Sequence, residues 1–300
     1  MIYTLTFNPA IDYVMHPISM DLGKTNRSSD EEYFIGGKGI NVSLVLRELD
    51  MPSVALGFTA GFTGAAVEEY MKTSGVDCDF VRLSSGFTRI NLKIKGEEET
   101  ELNGKGPDIN EAELAEMMSK LKKLTAGDIL VMAGSIPGSL PGDIYEKIMA
   151  ELEDKAVLFV VDAAGKLLVN SLRYKPFLIK PNAQELSEIV GKELKTGEEI
   201  ISAARELKNM GAKNVLVSMA GDGSILVDES DKVHIMGTAK GELVGSVGAG
   251  DSMVAGFLAG YIKTKDYAYA LKLGTACGGA TAFSTGLAKK EKIEELFASL

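Results

Sequence analysis

The sequence contains no tryptophan, only two cysteines and two histidines, and fewer basic residues than acidic ones. Two cysteines are too few for a disulfide framework, so a reducing compartment, the cytoplasm, is expected. The 32 basic residues against 42 acidic ones leave a net charge of −10. This charge argues against nucleic acid and membrane surfaces as partners, because both attract a basic field.

Long apolar runs are also missing, since no stretch approaches the roughly 18 consecutive residues of a membrane span. The opening residues read as a first strand and have no basic region before an apolar core, so no secretory signal is expected. The hydrophobic share of 45% is that of an ordinary globular protein. Without repeats or a long Pro/Gly linker, the chain is expected to form one domain over residues 1–300.

Short apolar runs alternate along the chain with segments of helical period. The runs are apolar on both alternating sides, as expected for strands that are covered on both faces. They are residues 129–132, 157–161, 177–179 and 215–218. Helical spacing relates the apolar residues of segments 114–124 and 200–207. This order predicts an α/β fold with a central, mostly parallel sheet and helices on both faces.

Two regions, residues 11–35 and 87–106, depart from this pattern. The first has no helical period, and Arg89–Lys95 in the second alternates strictly between polar and apolar residues. Such alternation is typical of a strand with two differently covered faces. We expect both regions to form a small projecting β-sheet, a lid, whose apolar side is covered by its own body or by a second subunit.

The segment Gly245–Ser252 places glycines and Asp251 directly before a helical run of small residues. In such a turn the free backbone N–H groups and the helix dipole face an anion. Asp251 then has two interpretations. It is either the N-cap of the helix, which aspartate fills well, or a catalytic base beside an anion-binding turn.

A second glycine-rich segment, Gly36–Ser43, also opens a helix. It lacks the third glycine of a dinucleotide fingerprint, and residues 18–25 lack the first glycine of a Walker A loop. The segment is either a helix entry without a ligand or a place where Lys38 and the backbone amides meet a sugar or a phosphate. Asn41 offers both donors and acceptors to hydroxyl groups.

Two polar segments follow strands of the predicted sheet, where ligands of open α/β sheets bind. In Lys180–Leu186, Asn182 and Glu185 either cap a helix or lie near a hydrated Mg²⁺, which takes few protein ligands. The segment Ser218–Ser224 by itself is consistent with a simple hairpin turn.

Together these motifs resemble the phosphofructokinase-B family of ribokinase-like sugar kinases. The signatures are Gly-Gly-x-Gly-x-Asn at residues 36–41 and Gly-Ala-Gly-Asp at 248–251, and the resemblance covers essentially the whole chain. It implies a ribokinase-like fold and the transfer of a phosphoryl group from ATP to a sugar hydroxyl, with Mg²⁺. Some relatives also use K⁺ near the loop before Gly248.

The resemblance implies that Asp251 is the catalytic base and that Gly248, Ala249 and Gly250 form the anion hole. It makes Glu185 the metal ligand. The residues implied for ATP lie on several segments: Lys180, Asn182, Ser218, Gly221, Gly223, Gly279 and Ser284.

On the substrate side, Asp12 matches the carboxylate that grips sugar hydroxyls in the family. The glycine-rich helix entry adds Gly37, Lys38 and Asn41 to the expected sugar site.

The chain also resembles the branch of the family that acts on sugar phosphates. That branch carries basic residues on the lid, here Arg89, Lys24 and Arg27, which would supply the local positive charge that an acidic protein needs for a phosphate. The planar fork of an arginine grips phosphate oxygens in pairs. Solvated surface charge is the alternative for Lys24 and Arg27.

Within this branch, segments 7–12 and 36–42 look most like those of bacterial 1-phosphofructokinases, which implies conversion of fructose 1-phosphate to fructose 1,6-bisphosphate. Segment 102–107 departs from that group at Lys105. Tagatose-6-phosphate kinase and ATP-dependent 6-phosphofructokinase are therefore alternatives. Lids of this family often pair, so a homodimer through the lid is expected.

Two other classes of protein remain to be weighed. A non-catalytic sugar-phosphate sensor would lose the base, but Asp251 and its glycines are intact. A dinucleotide-dependent oxidoreductase would need the third glycine and a hydride-transfer acid. His16 and His234 are isolated in the sequence, so both are expected at the surface or in loops rather than at a metal.

Overall fold

A computed structural model describes residues 1–96 and 98–300 and contains two β-sheets flanked by helices. The strands are β1 (Ile2–Thr6), β2 (Ala10–Pro17), β3 (Ser28–Gly36), β4 (Ser53–Thr59), β5 (Asp77–Cys78), β6 (Val81–Arg82), β7 (Arg89–Lys95), β8 (Glu99–Leu102), β9 (Ile129–Ala133), β10 (Leu158–Asp162), β11 (Leu178–Ile179), β12 (Asn214–Ser218), β13 (Ser224–Val227) and β14 (Val233–Met236). The helices are α1 (Lys38–Glu48), α2 (Gly61–Thr73), α3 (Glu111–Leu121), α4 (Ile144–Glu151), α5 (Gly165–Ser171), α6 (Ala183–Val190), α7 (Gly197–Asn209), α8 (Ala249–Thr264), α9 (Tyr267–Ala282) and α10 (Lys290–Ser299).

The larger sheet has the order β14-β13-β12-β11-β10-β9-β1-β4-β5, with β6 also paired to β4. Its strand pairs are parallel except at one edge, where β12, β13 and β14 run antiparallel. The predicted mostly parallel α/β sheet is confirmed, and the predicted strands agree with the observed ones to within one residue at each end. In the described part of the chain, no helix is long and apolar enough to cross a membrane.

Alternate residues of the central strands belong to hydrophobic clusters on opposite faces of the larger sheet. On β9, Leu130 and Met132 belong to a cluster with residues of α3 to α7, whereas Ile129 and Val131 belong to one with α1, α8, α9 and α10. Since helices cover both faces, polar residues are left to the strand ends, where α/β proteins bind ligands.

The smaller sheet, the lid, has the order β3-β2-β7-β8 and falls on the two regions where a lid is expected. Its polar side is buried, because Asn91 and Lys93 on β7 are only 7% and 8% exposed. Its apolar side is open, with Tyr33, Ile90 and Leu102 exposed by 64%, 40% and 59%. The chain's own body therefore covers the polar side and leaves an apolar patch on the outside.

The expected surface or loop position is wrong for His234. It lies on β14 with 9% of its side chain exposed, and its Nε2 is 2.8 Å from Oδ2 of Asp228. The sequence shows no partner for this histidine because Asp228 lies across the β13–β14 hairpin. His16 lies on β2 and is more exposed, at 37% of its side chain.

Helices α8 and α9 pack closely because glycines line their interface. A Cβ on Gly256 would lie 2.6 Å from Sγ of Cys277 and 2.6 Å from the carbonyl oxygen of Leu273. A Cβ on Gly279, in the same helix pair, would lie no closer than 3.6 Å to Leu296, which is ordinary contact. The two glycines therefore differ in what a methyl group would meet.

We expect Gly256→Ala to destabilise the protein by about 1–3 kcal/mol, because the added methyl overpacks the interface. Gly279→Ala is the matched control and should be neutral or slightly stabilising, since alanine is favoured over glycine in a helix by about 0.5–1 kcal/mol. The thermal unfolding midpoint of each variant without ligands tests this. A midpoint for Gly256→Ala at or above that of the parent would contradict the close-packing argument.

Candidate active site

Asp251 is the third residue of α8 and is 5% exposed. Its Oδ2 accepts a 2.8 Å hydrogen bond from Nδ2 of Asn41 on α1. The N-cap of α8 is Gly248, which has a φ of 80°. Asp251 is therefore not the N-cap, and its carboxylate turns toward a neighbouring helix.

Asp162 ends β10, is 1% exposed, and binds two lysines through one oxygen. Its Oδ1 lies 3.1 Å from Nζ of Lys38, the first residue of α1, and 3.3 Å from Nζ of Lys180, which follows β11. Its Oδ2 is buried and has no hydrogen-bond partner among the described residues. One buried carboxylate thus joins two ammonium groups from separate elements.

These charges act on one another. Burial raises the pKa of Asp251 to about 6, the charge of Asp162 adds to the rise, and Lys38, Asn41 and Lys180 oppose it. Burial raises the pKa of Asp162 too, but Lys180 and Lys38 lower it more, so it lies below its ordinary value. For Lys38, burial lowers the pKa, yet Asp162 and Asp251 raise it above the ordinary value. At neutral pH both carboxylates are therefore ionised and Lys38 is charged.

The first turn of α8 presents free backbone donors beside this cluster. Within the described residues, the N–H groups of Gly250 and Asp251 have no acceptor, whereas the N–H of Ala249 donates to the carbonyl oxygen of Ser246 at 3.2 Å. Nζ of Lys180 lies 3.0 Å from where a Cβ on Gly250 would be. The turn thus offers two N–H groups and one ammonium to an anion.

The glycine-rich helix entry packs against the end of β1. Gly37 has a φ of 125°, and its Cβ would lie 2.8 Å from Cγ2 of Thr6, while a Cβ on Gly39 would lie 2.6 Å from Oγ1 of Thr6. That same Oγ1 accepts a 3.1 Å hydrogen bond from the N–H of Ile40. The glycines are therefore needed for packing, and this packing directs Lys38 toward the strand ends.

Asp12 lies on β2 of the lid, and its Oδ1 accepts a 2.7 Å hydrogen bond from Nδ2 of Asn91. Its Oδ2 lies 3.0 Å from where a Cβ on Gly36 would be. Asp12, Gly36 and Asn41 line a groove of about 350 Å³ that is bounded by the lid, α1 and the loop Ser284–Lys289. Asp12, the expected sugar-binding carboxylate, therefore lines the same groove as Asn41, which binds Asp251.

Arg89 begins β7 and is half-buried. Its Nη1 donates to the carbonyl oxygen of Gly104 at 3.4 Å, and its Nε is buried without a partner in the described part of the chain. Burial lowers the pKa of Arg89, and the charge of Asp12 opposes this. A guanidinium with an unused buried N–H suits an anionic ligand.

Lys24 and Arg27 lie in the exposed loop between β2 and β3 and do not line the groove. Nζ of Lys24 is 3.5 Å from Oδ2 of Asp21 in the same loop, and 71% of its side chain is exposed. Within one chain, both residues therefore fit the alternative of solvated surface charge. Their contact with a phosphate stays a prediction.

Asn182 and Glu185 form a capping box at the start of α6. Oδ1 of Asn182 accepts from the N–H of Glu185, and Oε2 of Glu185 accepts from the N–H of Asn182, both at 2.8 Å. Burial lowers the pKa of Lys38, but the charge of Glu185 helps Asp162 and Asp251 to raise it above the ordinary value. The carboxylate of Glu185 therefore lies close enough to act on the charged cluster. Among residues 1–96 and 98–300, no three acidic, Cys or His side chains are grouped to hold a metal.

The segment Ser218–Ser224 is a hairpin turn between β12 and β13. Ser218 also forms a parallel bridge with Asn182, and Gly221 lies in a 3-10 turn. Gly223 has a φ of 92°, and its Cβ would lie 2.1 Å from the carbonyl oxygen of Met236, so the hairpin itself requires this glycine. Whether the turn also holds a nucleotide stays a prediction.

The last two residues expected near ATP flank the end of α9. Gly279 lies on the helix, where an added Cβ would make ordinary contacts with Leu296 at 3.6 Å and Phe283 at 3.9 Å. Ser284 follows the helix and lines the groove together with Asp12. Ser284 therefore lies in the groove that contains the expected sugar-binding residue Asp12, and its contact with ATP stays a prediction.

Sequence reasoning missed Asp162 and Asn91. Asp162 directly follows the apolar run 157–161, so its position at the carboxyl end of a central strand was a usable signal. The only sequence signal for Asn91 was the alternation of polar and apolar residues along its strand. Alternation indicates two different faces, but it does not show which face turns toward the ligand.

Comparison with known proteins identifies the class. The description "pfkB family carbohydrate kinase" matches residues 5–293. A 1-phosphofructokinase of Bacillus subtilis is 43% identical over 99% of this chain and 97% of its own length, and a D-tagatose-1-phosphate kinase of Bacillus licheniformis is 35% identical over 98% and 97%. The crystal structure of phosphofructokinase-2 from Escherichia coli with substrates and products has a TM-score of 0.92 and 28% identity, covering 99% of this chain and 98% of that one.

The chain therefore belongs to the pfkB family of carbohydrate kinases, and the ribokinase-like fold is confirmed. Within that family, it is an ATP-dependent sugar-phosphate kinase.

The raised pKa of Asp251 predicts the pH dependence of the reaction. With Asp251 as the expected base, kcat/KM should fall as the pH drops through about 6, because a base must be ionised. In Asp162→Asn this acid limb should move to lower pH, since the carboxylate that helps to raise the pKa of Asp251 is gone and two lysines are freed. Asp128→Asn, which removes a carboxylate that binds the N-terminal amine, is the control and should leave the limb in place. An unmoved limb in Asp162→Asn would refute the coupling.

Proposed function

We propose that this kinase transfers the γ-phosphoryl group of ATP to fructose 1-phosphate and forms fructose 1,6-bisphosphate. The observation that carries the proposal is the buried Asp251 carboxylate, held by Asn41 beside free N–H groups and Lys180 at the start of α8. The Bacillus subtilis relative named 1-phosphofructokinase supports the choice of sugar.

Asp251 acts as the base. A carboxylate does not ionise a free alcohol in advance, so Asp251 first orients the accepting hydroxyl by a hydrogen bond. It takes the proton late, as the new O–P bond forms and the bond between the γ-phosphorus and the bridging oxygen breaks to release ADP. The hydrogen bond from Asn41 fixes one carboxylate oxygen and leaves the other for the hydroxyl. The raised pKa of Asp251, due first to burial, makes it a better proton acceptor near neutral pH.

Charge neutralisation is the second part of the mechanism, because the transferring group passes through a metaphosphate-like state. The N–H groups of Gly250 and Asp251 stabilise its oxygens, and donors of this kind contribute about 2.7–4 kcal/mol each in favourable cases. Lys38 comes from the sugar side of the site and Lys180 from the strand-end side, so both flank the path of transfer.

Mg²⁺ fits this site as an ion that is carried with ATP. Glu185 would hold it, and few other side chains would be required, because Mg²⁺ usually keeps water and phosphate oxygens as ligands. Bound there, the ion would neutralise charge on the ATP phosphates. A K⁺ requirement near the loop before Gly248 is part of the same proposal.

The remaining residues are assigned to the sugar phosphate or to ATP. Asp12 binds sugar hydroxyls, and Arg89 binds the phosphate already on the sugar, where its unused Nε meets an anion. Lys24 and Arg27 are proposed to add to this phosphate site when the lid is closed. The ATP side is proposed to run along the hairpin at residues 218–223 and the end of α9.

Other substrates compete with fructose 1-phosphate. The Bacillus licheniformis relative is named for tagatose 1-phosphate, and tagatose 6-phosphate and fructose 6-phosphate remain alternatives. A non-catalytic sensor is disfavoured because Asp251 is present and its pKa is raised, mainly by burial. A cytoplasmic location is also proposed, in keeping with the free thiols of Cys78 and Cys277.

A coupled ADP-release assay with Mg-ATP tests the proposal. The panel is fructose 1-phosphate, tagatose 1-phosphate, both 6-phosphates and free fructose, compared by kcat/KM. Fructose 1-phosphate should lead by about tenfold or more, equal to about 1.4 kcal/mol of transition-state binding. If another sugar phosphate leads, the substrate assignment fails, and if none releases ADP the whole proposal fails.

Asp251→Asn is the control variant for this assay. Loss of the base should lower kcat by about 10²–10⁴-fold, while calorimetry should show nearly unchanged binding of fructose 1-phosphate. Near-normal turnover in this variant would remove Asp251 from the mechanism without affecting the substrate result.

We further propose a homodimer formed through the lids. The apolar patch of Tyr33, Ile90 and Leu102 is exposed, and a sheet with an open apolar side requires a cover. A second lid of the same chain is complementary because apolar sheet faces pack on one another.

Sedimentation at micromolar concentration should therefore show a dimer for the parent chain and a monomer for Tyr33→Lys/Leu102→Lys. Phe62→Lys, at a residue of α2 that is 77% exposed, is the matched control and should remain dimeric. A fully active monomer of the parent chain would contradict the lid interface.

A further inference from the structure

The side chain of Asn91 connects two parts of the substrate side of the cleft. Asn91 lies on β7 directly opposite Asp12 on β2 and is 7% exposed. Its Nδ2 donates to Oδ1 of Asp12 at 2.7 Å, and its Oδ1 accepts from the N–H of Gly104 at 3.1 Å. Both ends of the amide are therefore engaged, one with the lid strand and one with the segment after β8.

Arg89 binds the backbone carbonyl of the same residue, Gly104. It precedes Asn91 by two positions on β7, so both side chains leave the same face of the strand. Its Nη1 donates to the carbonyl oxygen of Gly104 at 3.4 Å. A Cβ on Gly104 would lie 2.8 Å from the carbonyl oxygen of Ile90, so only glycine brings this peptide so close to the strand.

These contacts make a continuous chain from Asp12 through Asn91 and Gly104 to Arg89. One end is the carboxylate proposed to bind a sugar hydroxyl, and the other is the guanidinium proposed to bind the sugar's phosphate. Oδ2 of Asp12 takes no hydrogen bond from the described residues, and Nε of Arg89 is buried without one. Each end thus keeps an unused polar atom while its remaining contacts hold it in place.

We propose that Asn91 is a positioning residue for the sugar phosphate. It holds Asp12 by one oxygen so that the other meets a hydroxyl, and through Gly104 it fixes the distance between this carboxylate and Arg89. The two ends together then select a ketohexose that carries a phosphate at the matching distance from its hydroxyls. The inference rests on the proposed function, because it assumes a sugar phosphate in this cleft.

An amide is the group that this position requires. Asp12 needs a donor and the N–H of Gly104 needs an acceptor, and asparagine supplies both from one short side chain. An aspartate would place a second carboxylate against Asp12. Alanine would leave Oδ1 of Asp12 and the N–H of Gly104 without these partners in a buried place. Both groups would then form other contacts and lose their orientation.

Steady-state kinetics of Asn91→Ala, with KM measured separately for fructose 1-phosphate and for ATP, tests the proposal. We expect KM for fructose 1-phosphate to rise about tenfold or more and KM for ATP to stay within about twofold, since only the sugar side is disturbed. Asn103→Ala is the matched control, because Asn103 is an exposed asparagine next to Gly104. It should leave both constants unchanged.

A double-mutant cycle separates positioning from a general structural role. If Asn91 acts through Asp12, Asp12→Ala/Asn91→Ala should be little worse than Asp12→Ala alone. Calorimetric binding of fructose 1-phosphate should show the same pattern without turnover. If Asn91→Ala does not fold, Asn91→Ser, which keeps one hydroxyl, carries the test with a smaller rise in KM.

The outcomes are distinct. Equal losses for ATP and sugar phosphate, an unchanged KM for the sugar phosphate, or effects of the two substitutions that multiply would each overturn the role of Asn91 while the parent enzyme stays active on fructose 1-phosphate. A parent enzyme inactive on every sugar phosphate would instead overturn the proposed function, and the inference with it.

Discussion

The ion pairs of Asp162 with Lys38 and Lys180 are the interaction on which the rest of the site depends. A buried carboxylate is costly unless it is paired, and here one oxygen binds two ammonium groups. Because the lysines come from α1 and from the end of β11, this contact ties the start of α1 to the carboxyl ends of β10 and β11. It also places two ammonium groups together in a chain whose net charge is −10.

The same carboxylate also acts on Asp251, the proposed base. Burial raises the pKa of Asp251 first, and the charge of Asp162 raises it further, while the lysines that Asp162 holds act in the opposite direction. The balance leaves Asp251 ionised at neutral pH and still a better proton acceptor than an exposed aspartate. In the proposed mechanism, Asp162 therefore both holds the lysines that neutralise phosphate charge and helps to raise the pKa of Asp251.

Much of this arrangement follows from the sequence. The parallel sheet was predictable because its strands are apolar on both alternations, and Asp251, Lys38 and Lys180 stood next to glycines or at strand ends. Asp162 was not found because a single aspartate after an apolar run has no period and no motif. Its role depends on Lys38, which is more than 100 positions away in the sequence, and on Lys180, which follows the next strand. These contacts exist only after the sheet has formed.

The lid shows a second limit, which concerns orientation. Alternation along β7 predicted two unlike faces, yet the usual rule that the apolar face turns inward fails, since Asn91 and Lys93 are buried and Ile90 is exposed. The physical reason is that the lid covers a polar ligand cleft and not a hydrophobic core. Its inward face therefore carries hydrogen-bonding groups, such as the Asn91 amide that binds Asp12. The outward face is apolar, so its hydrophobic free energy is available for contact with another apolar surface. In the proposed function, the lid joins substrate binding to dimer formation, because the same strands carry both faces.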